Sequence, residues 1–225
     1  MEGDPGTGDV PVATAKAELR ARVLAARRAM PPPDRAVAAA ALTAAVLTLP
    51  EVRPARTIAS YLSIGSEPST AELMDVLRSR DVRVLVPVLR ADLDLDWAIY
   101  ETRAGLSPGD RGLWKPSGAS LGVAAVAQAD VLVVPALAVD AAGTRLGRGG
   151  GSYDRALTRL PRGRPVVALL YDGELLPAVP AEPHDRAVTV VVTPSGVTRP
   201  GAARPGVGPP DATLRQGSRP AGDGR

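Results

Sequence analysis

The sequence has no cysteine and no phenylalanine, a single histidine, and only two lysines, Lys16 and Lys115. The absence of cysteine excludes disulfide bonds, thiol nucleophiles and cysteine-ligated zinc. With one histidine, the chain is poorly supplied for proton shuttling between imidazole groups. Aromatic residues make up only 3% of the 225 residues, so the core must consist of alanine, valine and leucine.

Long apolar runs are also missing. The longest, Ala36–Leu42, is far too short to span a bilayer. The first ten residues are acidic and glycine-rich, without the apolar centre of a signal peptide. We therefore expect a cytoplasmic protein with no membrane segment.

The small positive charge is confined to one end of the chain. The net charge is +3, and the segment from Thr198 onward holds five arginines and two aspartates, which account for all of it. Residues 1–197 carry 22 charges of each sign, so no basic face is expected and no nucleic acid is predicted as a partner. Nucleic-acid binding through the arginine-rich tail remains an alternative, and removal of residues 198–225 would test it.

Composition divides the chain into three parts. Residues 1–12 are predicted to be disordered, and residues 13–197 to form a single domain. The last 27 residues contain five prolines and six glycines with almost no apolar periodicity. Residues 198–225 are therefore predicted to be a disordered tail.

Strand-like and helix-like segments alternate along the predicted domain. Helices are predicted at residues 14–30, 34–47, 69–79 and 151–159, the third with a capping box formed by Ser69 and Glu72. Strands are predicted at residues 57–63, 82–89, 96–100, 131–135, 166–171 and 187–194, with a loop at 136–148. This order predicts an α/β fold in three layers, a mostly parallel central sheet with helices on both faces.

A glycine-rich loop, "RLGRGGGSYDRAL", spans Arg145–Leu157 and follows the most apolar predicted strand. Successive glycines let an anion approach backbone amides, and the helix that begins there adds its positive dipole end. Arg145 and Arg148 supply charge-assisted contacts to phosphate. Asp154 would hold a magnesium ion that bridges phosphate oxygens. The pattern favours a phosphate-binding loop.

Three other glycine-containing motifs do not match this loop. A dinucleotide fingerprint needs a third glycine where Ser152 stands, a Walker loop needs a lysine, and a nucleophile elbow needs a glycine at Asp154. A serine hydrolase that uses Ser152 and His184 lacks this elbow. A plain glycine-rich turn, with solvated arginines and a dipole-favoured Asp154, stays open at this point.

The loop resembles the signature of the 5-formyltetrahydrofolate cyclo-ligase family, which reads approximately R-L-G-x-G-x-G-[YFS]-Y-D-R. Other family segments follow in order: K-x-x-L-R at residues 16–20, "YLSIGSEPST" with Glu67, "DVLVVPALAVDAAGTRLGRGGG", and "VPAEPHDRAVTVVVTP" with Pro183, His184 and Asp185. The resemblance covers roughly residues 15–194, nearly all of the predicted domain.

The resemblance implies an enzyme that uses ATP and Mg²⁺ to convert 5-formyltetrahydrofolate to 5,10-methenyltetrahydrofolate, releasing ADP and phosphate. The formyl oxygen is phosphorylated, and ring closure by the neighbouring folate nitrogen then expels phosphate. Phosphoryl transfer depends on positioning and charge stabilisation more than on acid–base groups, which suits this composition. We expect a monomer that acts on a folate with or without a polyglutamate tail.

The resemblance also implies roles for individual residues. The catalytic residues are Arg145, Arg148 and Tyr153. The ATP-binding residues are Lys16, Arg20, Arg145, Gly147, Arg148, Gly149, Gly150, Gly151, Ser152 and Tyr153. The folate-binding residues are Leu62, Glu67, Trp114 and Tyr153, and the magnesium ligands are Asp154 and Asp185.

Three positions depart from the family pattern. Ser152 stands where relatives often have an aromatic residue, Lys115 where they often have an acid, and Glu174 where many have glutamine. These departures motivate an alternative function, a nucleotide-binding homologue with altered catalysis and a regulatory role.

Overall fold

The computed structural model describes residues 11–109, 112–181 and 186–201. The strands are β1 (Thr57–Ser60), β2 (Arg83–Leu89), β3 (Leu95–Ile99), β4 (Leu106–Pro108), β5 (Trp114–Pro116), β6 (Val131–Pro135), β7 (Ala138–Asp140), β8 (Arg145–Leu146), β9 (Val166–Leu169), β10 (Leu175–Leu176), β11 (Val190–Thr193) and β12 (Gly196–Thr198). The helices are α1 (Val12–Ala29), α2 (Pro32–Thr48), α3 (Ala71–Ser79) and α4 (Ser152–Arg159), with short 3₁₀ helices at Arg103–Gly105 and Val123–Gln128.

Seven strands form the central sheet in the order β12-β11-β9-β6-β1-β2-β3. The five inner strands are parallel, and β3 and β12 join the two edges antiparallel to their neighbours. The inner strands are rich in apolar residues, as expected for a sheet that is covered on both faces. In β6, for example, Val131 and Val133 face one core, while Leu132 and Val134 face the other.

Helices cover both faces of this sheet, which confirms the predicted three-layer α/β fold. Leu42 of α2 and Leu73 of α3 pack on one face. Leu157 of α4 and Val126 of the second 3₁₀ helix pack on the other. Helix α2 begins at Pro32, two residues earlier than predicted, because proline fits the first turn of a helix.

The predicted loop at 136–148 contains structure that the sequence did not indicate. Strands β7 and β8 pair antiparallel, and β10 joins β7 to make a three-stranded sheet. Leu19 and Val23 of α1 pack against this small sheet in a third apolar cluster. This packing places the first helix beside the glycine loop.

The predicted capping box at Ser69 and Glu72 is wrong. Helix α3 begins at Ala71 with Thr70 as its N-cap, and no side chain caps it. The Thr70 hydroxyl instead donates to the Tyr61 carbonyl at 2.7 Å. The hydroxyl nearest the start of the helix is thus used in a tertiary contact and does not cap the helix. The strand predicted to reach residue 63 also ends earlier, at Ser60, because residues 61–70 form the turn into α3.

Most of residues 1–12 and 198–225, the two segments predicted to be disordered, lie outside the described residues. Helix α1 begins at Val12, and β12 ends at Thr198, one residue beyond each limit of the predicted domain. Within the described residues, no helix is long and apolar enough to cross a membrane.

Candidate active site

A cavity of about 230 Å³ opens at the carboxyl ends of β1 and β6. These neighbouring strands mark the point where the strand order reverses, since β2 lies on one side and β9 on the other. Ligands of open α/β sheets bind in the crevice at such switch points. The glycine loop meets the cavity here because it follows β6 and β8.

The cavity has one apolar wall and one polar wall. The apolar residues that line it are Leu62, Ile64, Pro87, Leu89, Leu95, Leu113, Trp114, Pro135, Ala136 and Leu137. The polar wall is formed by Glu67, by Arg145 and by residues 147–154 of the glycine loop. This arrangement suits a ligand with a flat, apolar part and an anionic part.

The glycine loop adopts a conformation that only glycine accommodates readily. Gly149 has φ = +101° and Gly151, the N-cap of α4, has φ = +66°. A Cβ atom at Gly147 would lie 2.8 Å from Nη1 of Arg145. Within the described residues, no amide from 147 to 151 donates a hydrogen bond to another part of the chain. These amides are therefore available to an anionic ligand.

Arg145 and Asp154 form an ion pair at the base of the loop. Nη2 of Arg145 donates to Oδ1 of Asp154 at 2.6 Å, and Nη1 donates to the Pro135 carbonyl at 3.2 Å. Arg145 is buried, and its Nε has no partner among the described residues. The pair orients one cation and one carboxylate at the cavity wall.

Glu67 and Arg148 form a second ion pair in the cavity. Nε of Arg148 lies 3.0 Å from Oε1 of Glu67, and the Ile64 amide donates to Oε2 at 2.9 Å. Arg148 is about half exposed, whereas Glu67 is buried. Burial raises the pKa of Glu67, and the Ile64 amide and Arg148 offset only part of this effect.

The raised pKa of Glu67 predicts a pH-dependent effect of Glu67→Gln on stability. A carboxyl whose pKa is higher in the folded state favours folding when protonated, so the wild type loses stability as pH rises from the ordinary carboxyl pKa through the raised value. The Tm of Glu67→Gln relative to wild type should therefore rise above about pH 4 and level off once the pH has passed the raised pKa of Glu67. Thermal unfolding across this range measures it. Glu72→Gln, at an exposed carboxyl of α3, is the control, and a flat difference for Glu67→Gln would contradict the assignment.

Helix α1 reaches the loop from its outer side. Nε of Arg20 donates to the Gly147 carbonyl at 2.9 Å, and a Cβ at Gly149 would contact the same guanidinium at 3.6 Å. Lys16, one turn earlier on α1, is buried. Neither side chain lines the cavity, so the structure brings both to the loop region and not to the cavity wall.

The predicted folate contacts all line the cavity. Tyr153 packs against both core clusters of the sheet, and burial raises the pKa of its phenol well above the ordinary value. The phenol therefore stays neutral at physiological pH. In the apolar wall, Trp114 is 41% exposed and Leu62 is buried.

Several predicted or discussed residues lie elsewhere. Asp185 and His184 fall outside the described residues. Lys115 is exposed and does not line the cavity. Glu174 is buried in an ion pair with Arg27, with Oε1 and Nε 2.7 Å apart, also away from the cavity wall.

Sequence reasoning missed several residues of this site. Tyr61 lines the cavity, and its hydroxyl donates to the Pro68 carbonyl at 2.6 Å, which holds the turn that carries Glu67. Leu89 and Leu95 reach the cavity from β2 and β3. Arg155 is the last residue of the signature, but the signature alone does not indicate what its side chain contacts. Only the strand order, which a local pattern does not specify, brings these residues together.

The residues present fit a magnesium–nucleotide complex. Within residues 11–109, 112–181 and 186–201, no cluster of three acidic or histidine side chains is placed to hold a metal. Mg²⁺ bound to phosphates needs only one or two carboxylates, and Asp154, 27% exposed at the cavity, provides one. The glycine amides, Arg145 and Arg148 supply the donors that phosphates require.

This fold and site define an α/β protein with a switch-point cavity built for an anionic ligand. A model of the 5-formyltetrahydrofolate cyclo-ligase family matches residues 12–194, and the chain belongs to that family. It is 41% identical over 184 residues to 5-formyltetrahydrofolate cyclo-ligase of Mycolicibacterium smegmatis, over 80% of this chain and 93% of that relative. It is 32% identical over 174 residues to 5-formyltetrahydrofolate cyclo-ligase of Escherichia coli K12, over 76% of this chain and 96% of that relative.

Solved structures share the fold. The NMR structure of Aquifex aeolicus 5,10-methenyltetrahydrofolate synthetase superposes with a TM-score of 0.72 at 25% identity, over 88% of this chain and 98% of that one. A synthetase from Mycoplasma pneumoniae gives a TM-score of 0.64 at 20% identity, over 80% and 98%, which supports the fold alone.

Proposed function

We propose that the chain catalyses the ATP- and Mg²⁺-dependent conversion of 5-formyltetrahydrofolate to 5,10-methenyltetrahydrofolate, with release of ADP and phosphate. The observation that carries the proposal is the meeting of an apolar wall with the glycine loop in one cavity. Membership of the cyclo-ligase family supports it. The proposal includes a monomeric, cytoplasmic protein that accepts folates with or without a polyglutamate tail.

In this proposal the two walls hold different ligands. The loop amides, Arg145 and Arg148 bind the phosphates of ATP, and Asp154 binds the magnesium ion. Lys16 and Arg20 support the phosphates from α1, and Asp185 remains a proposed second ligand of the metal. Leu62, Glu67, Trp114 and Tyr153 bind the folate.

The residues act by binding, orienting and neutralising charge. When bound, ATP supplies the phosphoryl group that turns the formyl oxygen into a good leaving group. Arg145 and Arg148 stabilise negative charge that develops between the ligands. Glu67 accepts hydrogen bonds from N–H donors at the pterin edge. Burial by the apolar wall excludes water, which would otherwise compete for the phosphoryl group.

A spectroscopic assay tests this activity. Purified protein mixed with Mg-ATP and 5-formyltetrahydrofolate should produce a near-ultraviolet absorbance of the methenyl product that grows with enzyme concentration. Reactions without ATP, and with a nucleotide analogue that cannot transfer its γ-phosphate, are the controls. Absence of any absorbance increase at high enzyme concentration, together with measurable ATP binding, would instead favour a regulatory homologue.

Two departures from the family pattern lie outside the cavity wall. Glu174 is engaged in its buried ion pair with Arg27, and Lys115 is exposed and is not part of the cavity lining. Only Ser152, at the first position of α4, lines the cavity. This distribution supports an active enzyme over the altered homologue.

A further inference from the structure

Arg155 closes the glycine-loop motif and has no role in the function proposed above. It lies in the first turn of α4, directly after Asp154, and its side chain does not line the cavity. Its contacts connect two parts of the site that are distant in sequence.

One nitrogen of Arg155 reaches two backbone carbonyls. Nη2 donates to the Leu93 carbonyl at 2.6 Å and, in a longer contact, to the Gly150 carbonyl at 3.4 Å. A Cβ at Gly151 would lie 3.3 Å from Nη1 of the same side chain. The guanidinium therefore lies against the last two glycines of the loop while it is anchored on the other side at residue 93.

The anchor is the tight turn between β2 and β3. Leu93 has φ = +62°, and its amide donates to the Arg90 carbonyl at 3.1 Å. This turn connects Leu89 and Leu95, which belong to the apolar wall of the cavity. Arg155 therefore connects the glycine loop to the apolar wall, which is proposed to bind the folate.

The loop carbonyls are held from two sides. Arg20 of α1 donates a hydrogen bond to the carbonyl of Gly147, at the start of the glycine run, and Arg155 donates to the carbonyl of Gly150, near its end. Engaged carbonyls fix the peptide planes, and therefore the directions of the loop amides. A cradle for an anion depends on these directions.

We propose that Arg155 is a positioning residue that sets the glycine loop relative to the apolar wall. It acts through its contacts with Gly150, Leu93 and Asp94, and it is not part of the cavity lining. The proposal rests on the assignment of the loop to nucleotide phosphates and of the wall to the folate. Small displacements of bound groups lower turnover strongly, because catalysis here depends on alignment.

Arg159, one turn further along α4, provides a matched control. Its Nη1 and Nη2 donate to Oδ1 and Oδ2 of Asp94 at 2.8 and 2.6 Å, in the same β2–β3 turn. It has no contact with the glycine loop among the hydrogen bonds of the described residues. Arg159→Met thus weakens the tie between α4 and the turn and leaves the loop carbonyls untouched.

The test compares Arg155→Met, Arg155→Lys and Arg159→Met in the intact chain. Arg155→Met should raise the KM for ATP and lower kcat, each by about tenfold or more, at a Tm close to that of Arg159→Met. Arg159→Met should keep both constants within about twofold of wild type. Arg155→Lys should restore part of the loss, because an ammonium group can still donate to one carbonyl.

A direct binding measurement separates this proposal from the proposed reaction. Titration calorimetry with Mg-ATP alone should show weaker binding to Arg155→Met than to Arg159→Met. Equal kinetic constants and equal Mg-ATP affinities for the two methionine variants would overturn the positioning role. If wild type binds Mg-ATP but forms no methenyl product, the proposed reaction fails, whereas the affinity comparison still decides the role of Arg155.

Discussion

Replacing Arg27 by methionine is expected to lower the free energy of unfolding by about 3–5 kcal/mol, because the change leaves the buried Glu174 carboxylate without its cation. Arg27 is 1% exposed in α1, and its Nε and Nη2 each donate to Glu174 at 2.7 Å. Nη2 also donates to the Ala136 carbonyl at 2.7 Å, and the Tyr171 amide donates to Glu174 at 2.8 Å. Equilibrium unfolding in urea measures the loss.

The double variant Arg27→Met/Glu174→Met is the matched control. Removing both charges replaces a buried ion pair with apolar side chains, which proteins often tolerate with little loss of stability. We expect the double variant to recover most of the stability lost in Arg27→Met. A single variant within about 1 kcal/mol of wild type would show that the pair does not fasten α1 to the sheet.

The second large effect is expected at Arg145, where replacement by alanine should lower kcat/KM for ATP by about 10² to 10³. Arg145 is buried at the cavity wall, and its orientation is set by Asp154 and the Pro135 carbonyl. In the proposed reaction a preorganised cation in this position would stabilise developing negative charge without reorganisation, so its loss should affect the transition state directly. Initial rates at varied ATP and saturating folate give the two constants.

Arg164→Ala controls for the general loss of an arginine, since Arg164 pairs with Asp130 at 2.9 Å outside the cavity lining. Its kinetic constants should match those of wild type. Asp154→Ala should also weaken ATP use, and part of that loss should disappear at high Mg²⁺. Because Arg145 and Asp154 contact each other, their double variant should lose less than the sum of the single variants. Unchanged ATP kinetics in Arg145→Ala would contradict the assignment of the loop.

Local periodicity was sufficient to predict most of the fold. The run at residues 131–135 is apolar at every position, and it forms the strand β6 in the middle of the sheet. The glycine loop was placed correctly before α4 because glycines end one element and the next begins at Ser152. The family resemblance named some of the residues that line the cavity, among them Leu62, Glu67 and Trp114, and the match over residues 12–194 confirms the family.

Contacts between distant residues were not predictable in the same way. The partners in the Glu67–Arg148 and Arg27–Glu174 pairs are 81 and 147 positions apart, and no periodic pattern connects them. The capping box failed because α3 starts one residue later than predicted, with Thr70 as its N-cap, and the Thr70 hydroxyl donates to the Tyr61 carbonyl, a contact that exists only after the chain has folded. The small sheet of β7, β8 and β10 was missed because its strands have only two or three residues each.

The two ion pairs at the cavity have a consequence for how an anion arrives there. The charged residues of the lining are Glu67, Arg145, Arg148 and Asp154, two of each sign, so this wall is neutral overall. A neutral lining exerts little attraction on a polyphosphate beyond the distance of direct contact. At this wall, selectivity for an anion should therefore arise once the phosphates have reached the loop amides.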